Sequence, residues 1–344
     1  MKFKRDHHDL LDFYTGFPSD IELEDDNELS ETTEHSYYVM TTHTNNEELF
    51  SQNYVDIQKW IDECGASGQI DYSHLGYAYR ISMEVKLKFD FPFYGHKLQK
   101  LTIGVGGFIY VGDQTYSWLA ATQYIAPLMA YFDTMENGSS IAYADDGKRV
   151  VVEWHAVTLR DNRQAGPFTF QVHLWRNGNI TFVYKEVPIP ITNISDSFHP
   201  HKMGISDAYL FNHKFKNVPL AFQSSRKIIH EYRRIDVSPD KITSNSVVFM
   251  EALKTCLDAT TCEECQKMVL KTIKCNWCIP KDGEDIDGTN NKPFCSDQRG
   301  LHRRRQEWLE GNCQVDGFSQ YCEAEEVTTP DYSAKEATSV DSQD

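Results

Sequence analysis

The sequence predicts a mainly antiparallel β domain followed by a small disulfide-rich module. Three observations carry this expectation. Between Glu84 and Asp113, Val85, Leu87, Phe89, Phe91 and Phe93 alternate with Glu84, Lys86, Lys88 and Asp90, the period-two pattern of a strand with one buried and one wet face. Similar signals recur from Tyr77 to about Asp236, with turn sequences between them and no long helical pattern. Eight of the nine cysteines fall between Cys256 and Cys322, a segment too short and too poor in aliphatic side chains to stabilise itself by burial alone.

Taken in order, residues 1–50 hold few buried-type clusters and read as an acidic, disordered N-terminal segment. Residues 51–76 read as a docking arm or short helix, because Val55, Ile57, Trp60 and Ile61 recur at roughly helical spacing. The β domain is expected over residues 77–237. Pro92 removes a ladder donor and marks an edge or a bulge. Tyr94-Gly95-His96 turns the chain, after which Leu101, Ile103 and Val105 resume the alternation. Gly104, Gly106 and Gly107 interrupt it, as at a bulge or a close backbone approach.

The run Gln123–Asp133 is apolar around Pro127. Ser140–Tyr143 and Val150–Trp154 flank the turn sequence Asp145-Asp146-Gly147. Phe168, Phe170, Val172 and Leu174 alternate with polar residues up to Asn177-Gly178, which turns the chain into Ile180, Phe182 and Tyr184. That hairpin is the strongest local signal in the chain. Residues 187–202, with Pro188, Pro190 and Pro200, read as an irregular surface loop, and Ile228–Val237 as a last strand. A linker is expected over 238–254, the cysteine-rich module over 255–323 with one short helix at Glu263–Leu270, and an acidic disordered tail over 324–344.

At 344 residues the chain suits two domains with tails. Its net charge is −17, of which residues 20–35 carry −8 and residues 323–344 carry −6, leaving −3 for the rest. The acidity therefore belongs to the arms, and the body lacks the basic excess of a nucleic-acid binder. No run of about eighteen apolar residues is present. The first residues, MKFKRDHHDLLDFY, lack the apolar centre of a secretory signal, and taken alone they suggest a cytosolic protein. The cysteines and three glycosylation sequons argue for an extracellular one.

The sequons are Asn137-Gly-Ser, Asn179-Ile-Thr and Asn193-Ile-Ser, each in or beside an expected turn or loop. In the cysteine cluster, Cys262-x2-Cys265 followed by Cys275-x2-Cys278 has the pairing of a four-thiolate zinc site. The intervening loop is short for such a site, and Cys256, Cys295, Cys313 and Cys322 would be left over. Eight oxidised cysteines fit better, with 105 pairings open to sequence arithmetic. Cys64 is then left over, as a buried free thiol or, alternatively, an intermolecular bridge. Gly104-x-Gly106-Gly107 lacks the helix and the Lys-Ser/Thr partner of a phosphate cradle. His7-His8 and His199-Pro-His201 are read as surface histidines, with metal binding as the sharper alternative, and His302-Arg303-Arg304-Arg305 as a solvated loop, with an acidic ligand such as a sulfated glycan as the sharper alternative. No hydrolase, metalloprotease, kinase or nucleotide fingerprint is present, so neither catalysis nor a cofactor is expected.

The stretches FDFPFYGH, GGFIYVGD, QYIAPLMAYFD and FTFQVHLWRNGNITFVYKEVPI resemble the nidogen-type extracellular domain. With HPHKMGISDAYL and the cysteine run TCLDATTCEECQ, KCNWC and QEWLEGNC, the order is similar to that of the plexin domain-containing proteins, and the cysteine run resembles a plexin–semaphorin–integrin (PSI) module. The resemblance covers about residues 77–323. It implies the pairings Cys256–Cys275, Cys262–Cys322, Cys265–Cys295 and Cys278–Cys313, with Trp277 as the module's aromatic anchor. It also implies a glycosylated type I membrane protein that binds an extracellular matrix protein or a secreted protein ligand. The sequence departs from the family in its signal peptide, transmembrane helix and cytoplasmic tail. The function expected is a receptor-like ligand-binding region. Its contact surfaces are expected near Pro92, Asp113–Tyr116 and Thr192–His201. The alternatives are an intracellular zinc adaptor and a secreted hydrolase with a dispersed site.

Overall fold

The computed structural model describes residues 30–64, 67–71, 82–112, 122–214, 225–279, 292–311, 313 and 322. In chain order the strands are β1 (Ser30–Glu34), β2 (Tyr38–His43), β3 (Ser67–Asp71), β4 (Ser82–Phe93), β5 (His96–Gly104) and β6 (Phe108–Tyr110). Then come β7 (Tyr124–Met129), β8 (Phe132–Asp133), β9 (Ser140–Asp145), β10 (Arg149–Leu159), β11 (Phe168–Trp175) and β12 (Ile180–Glu186). The last are β13 (Lys202–Lys214), β14 (Ser225–Asp236), β15 (Ser246–Ala252), β16 (Cys275–Cys278) and β17 (Phe294–Asp297). Short helices α1 (Glu47–Asn53) and α2 (Ile57–Cys64) precede β3, and α3 (Cys262–Lys267) and α4 (Arg305–Glu310) belong to the cysteine-rich module.

Among the described residues, two antiparallel sheets face each other over one core. The larger runs β1-β2-β15-β12-β11-β10-β9-β3, with β8 on β10, and the smaller runs β14-β13-β7-β6-β5-β4. β4 is an edge strand whose burial alternates as its sequence does, with Val85, Leu87, Phe89, Phe91 and Phe93 inside. Its pairing with β5 slips between Lys86 and Phe91, so Pro92 sits beyond a bulge on an edge. Across the core, the Trp154 indole N–H donates to the Gly104 carbonyl at 2.9 Å, satisfying a fully buried donor. Gly107 lies in the β5–β6 turn at φ +79°, where a Cβ would sit 1.9 Å from the Leu128 carbonyl. That is the close approach expected of this glycine run. Pro127 is accommodated in β7 where the pairing with β13 shifts register.

Two boundaries are corrected. The expectation of disorder through residue 50 fails from Ser30 onward: β2 pairs with β15 and buries Tyr38, Met40 and Thr42 on one face. The acidic residues around it obscure a short period-two signal. The expected linker 238–254 contains β15, which lies between β2 and β12. Val247, Val248 and Met250 are buried there, because a strand covered on both faces need not alternate strictly. Of the arm expected over 51–76, residues 65–66 and 72–76 lie outside the described residues, and α2 packs on the sheet. α2 lays Ile57 and Trp60 on Ala142, Ala144 and Val151 of the larger sheet's outer face, and α2 ends at Cys64.

The cysteine-rich module carries four disulfides, Cys256–Cys275, Cys262–Cys322, Cys265–Cys295 and Cys278–Cys313. They are the pairs that the PSI resemblance implies. Trp277 is only half-buried; the buried aromatics are Trp308 and Phe294, packed with Cys278 and Cys313. α3 begins at a capping box in which Thr261 and Glu264 satisfy each other's backbone N–H groups.

Candidate interaction surface

The strand directions sort the connections into two ends. At one end are tight turns pressed against the cysteine-rich module. A Cβ on Gly95 would lie 2.4 Å from Thr255 Oγ1, and one on Gly178 would meet Pro92 and Ala252 at 3.1 Å. At the other end are longer loops. Arg160 N–H donates to the Tyr131 carbonyl at 2.8 Å. Arg163 reaches Asp133 at 2.6 Å and Glu136 at 2.7 Å, and Gly166 abuts Pro188. Long loops on a rigid sheet are where recognition surfaces are usually built.

This loop end holds a groove of about 410 Å³ between residues 187–192 and 239–243. Val187, Pro188, Ile189 and Pro190 form one wall, Pro239 and Ile242 the other. Ile191 and Ile194 anchor the first wall in the core, so the expected irregular loop is fixed from beneath. Phe198 is 73% exposed and its ring stacks on Tyr131 with centroids 5.9 Å apart. Met135 is also exposed. Of the expected contact segments, Thr192–His201 lies at the loop end, with Thr192 lining the groove, and Pro92 lies at the opposite end. Asp113–Tyr116 fall outside the described residues.

The sequons divide between the two ends. Asn137 and Asn193 are exposed at the loop end. Asn179 is half-buried at the module end, where its side-chain oxygen accepts the Ala252 N–H at 2.9 Å, and its sequon Thr181 is buried. His199 and His201 do not gather other ligands into a metal site among the described residues; burial lowers both pKa values. The sulfurs of Cys256, Cys275 and Cys295 lie within 4.8 Å of one another because two disulfides pack side by side. Cys262, Cys265, Cys275 and Cys278 each bond a different cysteine, so their thiolates are not available to a shared zinc ion.

The run His302–Arg305 is corrected most sharply. It is a junction, not a solvated patch. Arg303 inserts between the module and the smaller sheet, donating from Nε and Nη2 to the buried Asp207 carboxylate at 2.8–3.0 Å. Its Nη2 also reaches the Val111 carbonyl at 2.9 Å, and Tyr232 donates to Asp207 at 2.8 Å. Arg304 lies 3.6 Å over the Phe294 ring and Arg305 4.3 Å over Trp308. Behind Arg303, His96 and His302 stand 6.1 Å apart. Burial and the neighbouring arginines hold His96 well below its ordinary pKa. Burial, followed by Arg304 and Arg305, lowers His302 to about 4 against the opposing effect of Asp297. Tyr37, from the N-terminal segment, donates to Asp297 at 3.2 Å and closes the same junction.

A family model described as NIDO related matches residues 72–249, just over half of the chain. The chain belongs to the NIDO-related family. Its NIDO-related domain spans β4 to most of β15, including the segment expected to be a linker. β1 and β2 at one edge and β3 at the other come from outside that span and complete the larger sheet. The groove is built wholly from the NIDO-related domain, whereas the Arg303 junction ties it to the module. No solved structure matches the chain.

The sequence does not show this junction. Asp207 sits in an otherwise ordinary strand pattern, and its partner is 96 residues away. A run of three arginines beside a cysteine framework was the only signal, and exposure was its default interpretation.

Proposed function

We propose that this chain is the extracellular ligand-binding region of a receptor-like glycoprotein of the plexin domain-containing type. Its cysteine-rich part acts as a PSI module, and its partner is a matrix protein or a secreted protein, bound without turnover. Four disulfides in a module with little other core suit an oxidising compartment. The NIDO-related domain presents its loops away from the module, which would lead toward the membrane anchor that the plexin domain-containing resemblance implies. The observation that carries the proposal is the loop end itself. That end carries both an apolar groove and a Phe ring left 73% exposed on an aromatic-backed base. Aromatic anchors of this kind dominate protein interfaces. Among the described residues no helix is long and apolar enough to cross a membrane.

The test uses the full chain produced through a secretory pathway and presented to immobilised matrix and secreted proteins. Saturable binding is expected, and Phe198→Ala should weaken it at least tenfold at an unchanged melting temperature. Binding that is indifferent to Phe198 and to substitutions in the groove walls would move the contact surface elsewhere. Failure to bind any member of a broad panel would overturn the proposal.

A further inference from the structure

Three separated hairpins assemble one basic face at the module end. β4 and β5 turn Lys86, Lys88, Lys97 and Lys100 outward, all exposed. Lys86 and Lys100 stand directly opposite each other in register, an arrangement in which like charges repel. Asp145 draws in the second hairpin. Its buried carboxylate accepts the Lys88 N–H at 2.9 Å and the Gly147 N–H at 2.7 Å. A Cβ on Gly147 would lie 4.0 Å from that of Lys88, so exposed Lys148 follows beside it. The third hairpin is tied on by Arg176, whose N–H donates to the Lys148 carbonyl at 2.8 Å. Gly178 of the same turn packs against Pro92, which pairs with Lys97.

Among the described residues, only Lys100 of these six bases has a carboxylate within ion-pairing distance, Glu84 at 3.5 Å. The other acids on this face are otherwise engaged. Asp90 accepts from Gln99, and Asp146 accepts the N–H groups of Lys148 and Arg149. Lysines also blunt the edges of sheets against unwanted pairing. That accounts for Lys86 and Lys88 on the edge strand β4. It does not account for Lys97 and Lys100 on the inner strand, or for Lys148 and Arg176 on the other sheet.

We propose that this face binds a sulfated glycosaminoglycan chain. The proposal rests on the extracellular reading above and adds a second, purely electrostatic surface to it. Lys86 and Lys88, two residues apart on β4, stand about 7 Å apart, and Lys100 and Lys97 of the opposed strand add a second row about 5 Å away. Two such rows suit a linear polymer carrying many sulfates better than a single small anion. The local excess is six bases over four acids, Glu84, Asp90, Asp146 and the buried Asp145, in a body whose remaining charge is near balance. Strong salt dependence follows, because the contacts are exposed and screened.

The full chain from a secretory pathway is passed over immobilised heparin and heparan sulfate at 0.15 M salt. Desulfated heparin, hyaluronan and phosphatidylserine vesicles serve as comparison arms. Retention on the sulfated chains, lost steeply with added salt, is expected. The combined Lys86→Gln, Lys88→Gln, Lys100→Gln variant should bind at least tenfold more weakly with an unchanged melting temperature, and adding Lys148→Gln should weaken it further. No retention by the native chain, equal retention by the variant, or binding to vesicles but not to heparin would each overturn the proposal. Binding to the protein panel with none to heparin removes only this proposal. Free thiols, with no binding to either, remove the extracellular reading as well.

Discussion

His302 shows how one side chain can set the conditions under which the module stays docked. Its Nδ1 accepts the Arg304 N–H at 3.0 Å, which leaves the ring proton on Nε2 to donate to Ser296 Oγ at 2.7 Å. Protonating Nδ1 breaks the first of these bonds and places a cation beside Arg303, Arg304 and Arg305. His96 has the same difficulty, since its Nε2 accepts the Arg303 N–H at 3.3 Å. With His302 held to about 4 against an ordinary value of 6.5, the unfolded chain binds more protons between those limits. The stabilising contribution is therefore complete above about pH 6.5, declines as the pH falls toward 4, and changes no further below that. Its size is on the order of 3 kcal/mol. Thermal unfolding from pH 7.5 to 4.5 should show a falling melting temperature, and His302→Asn should flatten that slope. An equal slope in the variant would mean that other groups set the pH dependence.

At the scale of elements, one buried glutamine fastens the backbone of the N-terminal arm to the larger sheet. Gln171, fully buried on β11, donates from Nε2 to the Val55 carbonyl at 2.6 Å and accepts the Val55 N–H at 3.1 Å. Its Nε2 also donates to Glu153, which accepts from Tyr54 at 2.8 Å. Arg149 completes the attachment, 4.7 Å from the rings of both Trp60 and Trp175. Gln171→Ala removes the amide that mimics a backbone partner and leaves the Val55 groups unpaired. Hydrogen exchange across residues 47–64 should accelerate at least tenfold while β10–β12 stay protected. Unchanged protection of the arm would assign its attachment to the apolar contacts of Ile57 and Trp60 and to the Tyr54 and Arg149 contacts. The sequence shows the helical spacing of this arm but not its fastening, because Gln171 reads as a polar residue on the wet face of an alternating strand. The same limit hid β15 and β2. Each is short, and each is made a strand by partners far away in the chain. By contrast, β4, the Asp146-Gly147 turn and the Asn177-Gly178 turn carry their instructions locally, in alternation and in glycines at φ +83° and +95°. The groove was legible only as a proline-rich loop, and the basic face not at all, since its residues come from three hairpins.

Over the whole molecule, two kinds of stability meet at Arg303. The sandwich core is built from aliphatic and aromatic side chains and contains none of the eight paired cysteines. The module's two small clusters, by contrast, include Cys256, Cys265, Cys295, Cys278 and Cys313 among their buried members. Loop-closure arguments assign each disulfide roughly 3–4 kcal/mol, from the separation of 19 for Cys256–Cys275 to 60 for Cys262–Cys322. Reduction should therefore melt the module and leave the sandwich folded. The two parts are nevertheless coupled, because losing the module strips Arg303 from the fully buried Asp207. Leaving such a carboxylate unpaired costs about 3–5 kcal/mol. Reductant should abolish hydrogen-exchange protection in residues 256–279 and 292–311 while residues 82–112 and 140–186 keep theirs. It should also lower the melting temperature of the sandwich. Arg303→Met should produce a similar lowering with the disulfides intact, and reductant should then lower it little further. Module protection that survives complete reduction would show that its apolar contacts suffice. A sandwich that melts in step with the module, in native chain and variant alike, would show that the two share one core and that Arg303 does not couple separate parts.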